Sequence, residues 1–260
     1  MNPRIVADHI TIWLKTYLEK SGCKGFVVGI SGGIDSAITS TLCAMTGRPL
    51  LAVILPIRQS PSEFDRANEQ IAWLKSKFPN TDSDVLDLSP ALTQLENVFP
   101  KSVQDPLTMA NTRSRLRMLS LYAFAGSQGM LVAGTGNKVE DFGIGFFTKY
   151  GDGGVDVSPI AGLLKSQVYQ LGKYLQVPES ILKAAPTDGL FDNGKSDEDQ
   201  IGASYDELEW AMKEVMLKKS PDVYSKRERE VLEIYLDRNR KNQHKMNSIP
   251  VCEIPDELLF

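Results

Sequence analysis

The sequence predicts an α/β fold, a parallel β-sheet flanked by helices on both faces, followed by a helical C-terminal elaboration. Three observations carry this prediction. Short apolar runs at Gly25–Ile30, Leu50–Leu55 and Met130–Ala133 read as buried strands. Segments of helical spacing separate them. Strands apolar on both faces, alternating with helices, are what a parallel sheet covered on two sides requires.

The elements follow in order. Pro3 to Glu19 sets Ile5, Ile12, Trp13 and Tyr17 near helical spacing, an amphipathic helix stopped by Gly22. Gly25–Ile30 is the first strand, and Leu50–Leu55, closed by Pro56, is the second. Ser60 or Ser62 caps a helix running to Lys77. Asp84–Leu88 is a weaker strand, and Ser89-Pro90 starts a short helix. A long helical pattern from Asp105 to Ala125 leads into the Met130–Ala133 strand. Beyond Tyr150 the character changes. Lys165–Leu175 is helical, Ala185–Asp199 is a Gly- and Asp-rich irregular stretch, and Tyr205–Lys218 and Pro221–Arg240 are helices. No internal repeat appears, and residues 1–260 read as one domain.

Bulk properties exclude several classes. With 42% hydrophobic and 24% charged residues the chain can build a sizeable core. A net charge of −4 disfavours nonspecific binding of nucleic acid, so no nucleic-acid partner is expected. No signal pattern and no apolar run of membrane-spanning length is present, so a cytoplasmic protein with no membrane partner is expected. Cys23, Cys43 and Cys252 are too scattered for a disulfide framework. His9 and His244 are too isolated for a histidine-rich metal site.

The most informative stretch is Phe26-Val-Val-Gly-Ile-Ser-Gly-Gly-Ile-Asp-Ser36, a strand, a phosphate-sized loop and a helix start in succession. Gly32 and Gly33 allow a tight turn that brings backbone N–H groups near an anion. The helix start adds unpaired amides and a positive dipole end. Ser31 and Ser36 supply hydroxyls, and Asp35 is placed to hold a divalent cation. No Gly-Lys-Ser/Thr follows, so this is not the P-loop of the Walker type.

A second motif, Gly134-Thr-Gly-Asn-Lys-Val-Glu-Asp141, also follows a strand, and ligands bind at the carboxyl ends of parallel strands. Thr135 is placed to meet a nucleotide and Glu140 to share Mg2+ with Asp35. A capped helix start with a solvated glutamate is the other reading. Phe146-Phe-Thr-Lys-Tyr-Gly-Asp-Gly-Gly-Val-Asp156 reads as a loop shaped around a ligand. In it Lys149 suits a phosphate or carboxylate, and Asp156 suits a sugar hydroxyl. Lys165 opens a helix; taken alone it reads as a surface lysine.

Ser31-Gly-Gly-Ile-Asp-Ser36 resembles the SGGxDS loop of the ATP pyrophosphatases, enzymes of Rossmann-like fold that split ATP into AMP and pyrophosphate. The full set of motifs resembles NAD synthetase in its short, ammonia-dependent form. The match runs in order through Asn111-Thr-Arg-Ser-Arg-Leu-Arg-Met118, GTGNKVED, FFTKYGDGG, Pro186-Thr-Asp188, Ser204-Tyr-Asp-Glu207 and His244-Lys-Met246. FTKYGDGG is the most specific of these.

The resemblance implies ATP- and Mg2+-dependent amidation of deamido-NAD by ammonia through an adenylate, giving NAD, AMP and pyrophosphate, the last step of NAD biosynthesis. It implies that Gly29, Ile30, Ser31, Gly32, Gly33, Ile34, Asp35 and Ser36 bind ATP with Thr135, Lys165 and Thr187. Asp35 and Glu140 hold Mg2+. Arg115, Lys149, Asp156, His244 and Lys245 contact deamido-NAD. Asp35 and Lys165 are expected to carry the chemistry, and Asp156 is a candidate proton acceptor for the ammonia step. Arg113 and Arg117 flank Arg115 and leave open which guanidinium meets the substrate.

The family is homodimeric. The apolar second half of Thr108–Ala125 fits such an interface or a helix buried in its own monomer. No glutaminase domain is expected within these 260 residues. Another ATP pyrophosphatase, such as a tRNA-thiolating enzyme or the synthetase half of GMP synthetase, is the enzymatic rival. A thiolating enzyme needs a cysteine at the crevice, though, and Cys43 lies mid-helix in an apolar stretch. A binding module without turnover is the rival of another class, weakened by Asp35, Glu140, Lys149 and Lys165 occurring together. Gly189, Gly194 and the surrounding acids suggest a lid over Asp188–Asp199.

Overall fold

The computed structural model describes residues 1–187, 196–217 and 219–259. Its elements run α1 (Pro3–Ser21), β1 (Phe26–Gly29), α2 (Ile34–Met45), β2 (Leu50–Ile54), α3 (Pro61–Lys77), β3 (Thr81–Val85), α4 (Ser89–Val98), α5 (Pro106–Gln128) and β4 (Leu131–Val132). A π-helical turn, Val139–Ile144, follows. Then come α6 (Lys165–Leu175), α7 (Glu179–Lys183), α8 (Asp197–Ile201), α9 (Tyr205–Leu217) and α10 (Lys226–Met246).

The sheet is parallel, in the order β3-β2-β1-β4, with Phe26 opposite both Leu50 and Leu131. A bridge between Ala133 and Val157 continues the β4 edge. Strand β2 is added on one side of β1 and β4 on the other, so the strand order reverses between β1 and β4 and the loops leaving them flank one crevice at the carboxyl edge.

Side chains alternate across the strands because the period is two. Phe26, Val28, Leu50, Ala52 and Ile54 face Leu14, Leu18, Ile38, Leu42, Leu74 and Leu171 from α1, α2, α3 and α6. Val27, Leu51 and Val53 face Leu88, Leu92, Met109 and Ala125 on the other side. Leu42 is fully buried, and truncating such a residue to alanine costs about 2–5 kcal/mol. A third cluster of Val139, Ile144, Leu208, Val231 and Tyr235 is the core of the C-terminal elaboration. It clamps the π-helical turn against α9 and α10.

Several expectations need correction. Helix α1 forms as expected, but Ile5 (63% exposed), Ile12 (65%), Trp13 (41%) and Tyr17 (42%) face outward. The buried stripe is Ala7, Ile10, Leu14 and Leu18. Both faces of this helix are apolar, and periodicity cannot choose between two such faces; the slimmer aliphatic one packs toward α2 and α6. Strand β3 begins three residues before the expected Asp84 and ends at Val85. It is a polar, largely exposed edge strand held by its ladder to β2, so it carries no apolar signal. Helix α10 starts at Lys226, not Pro221. Ser225 and Glu228 form a reciprocal capping box there, with Ser225 N–H donating to Glu228 Oε2 at 2.7 Å. Within the expected irregular stretch, Ser196 caps the short helix α8. The lid expectation falls on residues 188–195, which lie outside the described residues.

Candidate active site

The loop after β1 is closed by its own hydroxyls. Ser36 Oγ accepts from the Ser31 N–H at 3.2 Å and donates to the Gly33 carbonyl at 3.0 Å. Ser31 Oγ accepts from the Gly33 N–H at 3.2 Å. Gly32 has φ +81°, and a Cβ there would lie 2.5 Å from the Glu63 carbonyl oxygen. Only glycine fits both demands. Gly33 caps α2 without a side-chain oxygen, so the first-turn amides of the helix open toward the crevice.

Across the crevice, the loop after β4 is organised by Asn137, which is fully buried. Its Oδ1 accepts from the Val139 and Glu140 N–H groups at 3.1 and 3.2 Å, and its Nδ2 donates to Asp35 Oδ1 at 3.1 Å. One amide side chain thus fixes the turn bearing Glu140 and one oxygen of Asp35. Lys165, at the start of α6, comes from a third direction. Its Nζ lies 2.6 Å from Asp35 Oδ2 and 3.0 Å from Glu140 Oε1, with the lysine side chain only 5% exposed. It also stands 4.6 Å from the centre of the Tyr205 ring.

Burial works against every charge in this cluster, and neighbours decide the outcome. Burial opposes the Lys165 ammonium, but the two carboxylates outweigh it and hold its pKa up. Burial likewise opposes Glu140, but Lys165 and the Tyr205 hydroxyl prevail and hold it below the usual carboxylate range. Asp35 is pushed up, by burial first and by Glu140 in addition, against the pull of Lys165. Adjacent Asp141 is pushed up to about 8 by burial and by the surrounding carboxylates.

These groups line a crevice of about 250 Å³ at the sheet edge. All residues expected to bind ATP border it, namely Gly29 through Ser36, Thr135, Lys165 and Thr187, together with Glu140. Glu140 is therefore not a solvated helix-start glutamate, and Lys165 is not a surface lysine.

The residues expected to meet the dinucleotide lie elsewhere. Arg115 Nη2 donates to the Lys149 carbonyl at 3.4 Å, and Lys149 Nζ donates to the His244 carbonyl. Lys245 Nζ donates to the Gly145 and Phe147 carbonyls at 2.6 and 2.8 Å. Arg115, Lys149, His244 and Lys245 therefore form a second cluster, where the end of α10 meets the 145–149 loop. Asp156 joins neither group. Its Oδ2 accepts from the Val132 N–H at 2.8 Å and its Oδ1 from the Tyr122 hydroxyl at 3.0 Å. Of the neighbouring arginines, Arg113 is buried. Arg117 borders the crevice and donates from Nε to the Leu55 carbonyl at 3.1 Å.

The Phe146–Asp156 loop is stitched to α5. Thr148 Oγ1 bonds Asn111 Oδ1 at 2.7 Å, and Ser114 Oγ donates to Asp152 Oδ1 at 2.7 Å while accepting from the Asp152 N–H at 2.9 Å. A Cβ on Gly151 would fall 2.3 Å from Ser114 Oγ, so that contact requires glycine. On α5 itself, Met109 is buried, Leu116, Met118, Leu121, Tyr122 and Phe124 are half-buried, and Leu119 is 62% exposed. Sequence reasoning missed Asn137 and Tyr205 as site residues, and left Arg117 as one of three candidate guanidiniums. Asn137 and Tyr205 each stand inside a quoted motif, and only the fold shows that they reach the charged cluster.

The sheet order and this cluster define an α/β protein with a charged crevice at the carboxyl ends of its parallel strands. The chain belongs to the NAD synthase family, whose model matches residues 6–249. The NH(3)-dependent NAD(+) synthetase of Mycoplasma genitalium is 38% identical over 91% of this chain and 90% of its own length. Among solved structures, NMN synthetase from Francisella tularensis superposes with a TM-score of 0.86 at 33% identity, covering 98% of this chain and all of that one. The NH3-dependent NAD synthetase of Campylobacter jejuni gives 0.78 at 25% identity, over 97% of this chain and all of that one.

Proposed function

We propose that this protein converts deamido-NAD to NAD with ATP and ammonia, acting in the cytoplasm as a homodimer. The observation that carries the reading is the Asp35–Lys165–Glu140 cluster beside the Ser31 loop. The names of the relatives supply ammonia and the product NAD.

In the first step an oxygen of the nicotinate carboxylate attacks the α-phosphorus, and the bond to the departing pyrophosphate breaks. In the second, ammonia attacks the carbonyl carbon, AMP leaves, and one proton is released. All partners in the first step are anionic, so the protein's task is to hold them together and offset their charge. The α2 amides and the Gly29–Ser36 loop would cradle phosphates, with Thr135 and Thr187 on the nucleotide. Lys165 would face the polyphosphate. Arg115, Lys149, His244 and Lys245 would receive the dinucleotide, with Asp156 on its sugar.

Asp35 and Glu140 fit Mg2+. Both are oxygen donors, and each already places one oxygen on a single cationic atom, Lys165 Nζ. Mg2+ is commonly held by one or two carboxylates plus substrate phosphates. When bound it would neutralise charge on the phosphate oxygens.

A second acceptor, nicotinate mononucleotide, is favoured by one observation, the whole-length match to the Francisella tularensis NMN synthetase. Pyrophosphate release with ATP, Mg2+ and ammonia separates the two. Release dependent on deamido-NAD, with NAD as product and a higher kcat/KM than for the mononucleotide, is the expected result. The reverse order would move the assignment to the mononucleotide. Release with neither would overturn both.

A further inference from the structure

The Ser204-Tyr-Asp-Glu207 run has no part in the function proposed above, yet its tyrosine enters the charged cluster. Ser204 and Glu207 close the first turn of α9: the Ser204 N–H donates to Glu207 Oε2 at 2.9 Å, and the Glu207 N–H donates to Ser204 Oγ at 3.3 Å. Arg227 grips both Glu207 oxygens, at 2.7 and 2.8 Å. The Tyr205 N–H donates to Glu198 Oε1 at 2.8 Å. These contacts fix where the Tyr205 side chain leaves the backbone, and the residue is only 5% exposed.

The hydroxyl of Tyr205 donates to Glu140 Oε1 at 2.6 Å, the same oxygen that receives Lys165. Asp197 Oδ2 stands behind the hydroxyl at 3.2 Å. A phenol carries one proton, and the shorter contact claims it. The face of the ring meets the Lys165 ammonium. One rigid side chain therefore touches both the carboxylate and the cation. A hydrogen bond from a neutral donor to a ligating carboxylate fixes its rotamer, which tunes metal affinity without adding a ligand.

We infer that Tyr205 is a positioning residue that holds Glu140 in place for its cation through the 2.6 Å hydroxyl contact. The inference rests on the reading of Glu140 as a metal ligand. The ring packs in the third core cluster whether or not the hydroxyl is present, so Tyr205→Phe removes the bond and keeps the packing.

The test measures Mn2+ affinity by electron paramagnetic resonance, with α,β-methylene-ATP bound and no turnover. Wild type, Tyr205→Phe, Glu140→Gln and the double variant are compared. Tyr205→Phe should weaken Mn2+ binding about tenfold or more, the range typical of lost outer contacts to a ligand. In the Glu140→Gln background the same change should alter affinity by less than about twofold, because its route is already gone. Losses that multiply across the two positions would overturn the inference, as would a Tyr205→Phe affinity equal to wild type. Unchanged affinity in Glu140→Gln would instead overturn the metal reading itself, and the inference with it. Thermal unfolding of each variant checks that the comparison is between folded proteins.

Discussion

The two polar clusters of this molecule handle positive charge in opposite ways. At the crevice, Lys165 is buried between two carboxylates drawn from segments more than a hundred residues apart. At the end of α10, Arg115, Lys149 and Lys245 are held by neutral backbone carbonyls. The first arrangement is a largely buried centre of one cation and two carboxylates whose members fix one another, as preorganised catalysis requires. The second retains its net positive charge at the protein's edge and suits binding a large anion. The two clusters should therefore fail differently when broken.

The largest effect is expected at the crevice. Asp35→Ala removes one carboxylate from Lys165 and one proposed metal ligand, and adenylation should fall by at least about 10²–10³-fold. Pyrophosphate release at saturating ATP and deamido-NAD measures this. Near-normal turnover at ordinary Mg2+ would dissolve the contrast, because neither Lys165 nor a metal would then depend on Asp35.

A smaller and different loss is expected at the second cluster. Lys149→Ala and Lys245→Ala should each raise KM for the dinucleotide about tenfold, the scale of one hydrogen bond to a charged group. KM for ATP should change little. Added salt should weaken dinucleotide binding in wild type more than in the variants, since the cluster acts partly through screened charge. A loss of kcat at unchanged KM would place these lysines with the chemistry instead.

The two regions were also unequally legible in the sequence. The Ser31 loop was readable because its physics is local: a buried strand, two glycines and a helix start lie within eleven residues. Lys165 was not readable from its own neighbourhood, since nothing near it distinguishes a buried lysine from a solvated one. Only its contacts with Asp35 and Glu140, 130 and 25 residues away, make the difference. Asn137 and Tyr205 follow the same rule, being ordinary residues inside motifs until the π-helical turn and α9 bring them together. The outward face of α1 and the polar strand β3 were misread for a related reason. Tertiary pairing, not local pattern, decides which apolar stripe is buried and which polar segment is extended.

The smallest effect concerns the link between Glu207 and Arg227, which closes the turn that carries Tyr205. Arg227 hydrogen-bonds both oxygens of Glu207 and holds its pKa at about 2, below its ordinary value of 4.5. A carboxyl group with a depressed folded-state pKa stabilises fully above its unfolded value, and that contribution is lost as pH falls toward the folded one. Glu207→Gln keeps an oxygen for the Ser204 N–H, since glutamine also serves in a capping box, and removes the charge together with one of the two acceptors that Arg227 holds. The variant should melt a few degrees lower at most at pH 7, because both side chains are partly exposed. The gap from wild type should narrow as pH is lowered from about 4.5 to about 2 and close below that. Thermal unfolding followed across this range measures it. A gap that stays constant with pH would show that the turn depends on the shape of Glu207 rather than its charge, and would leave Arg227 no electrostatic part in placing Tyr205.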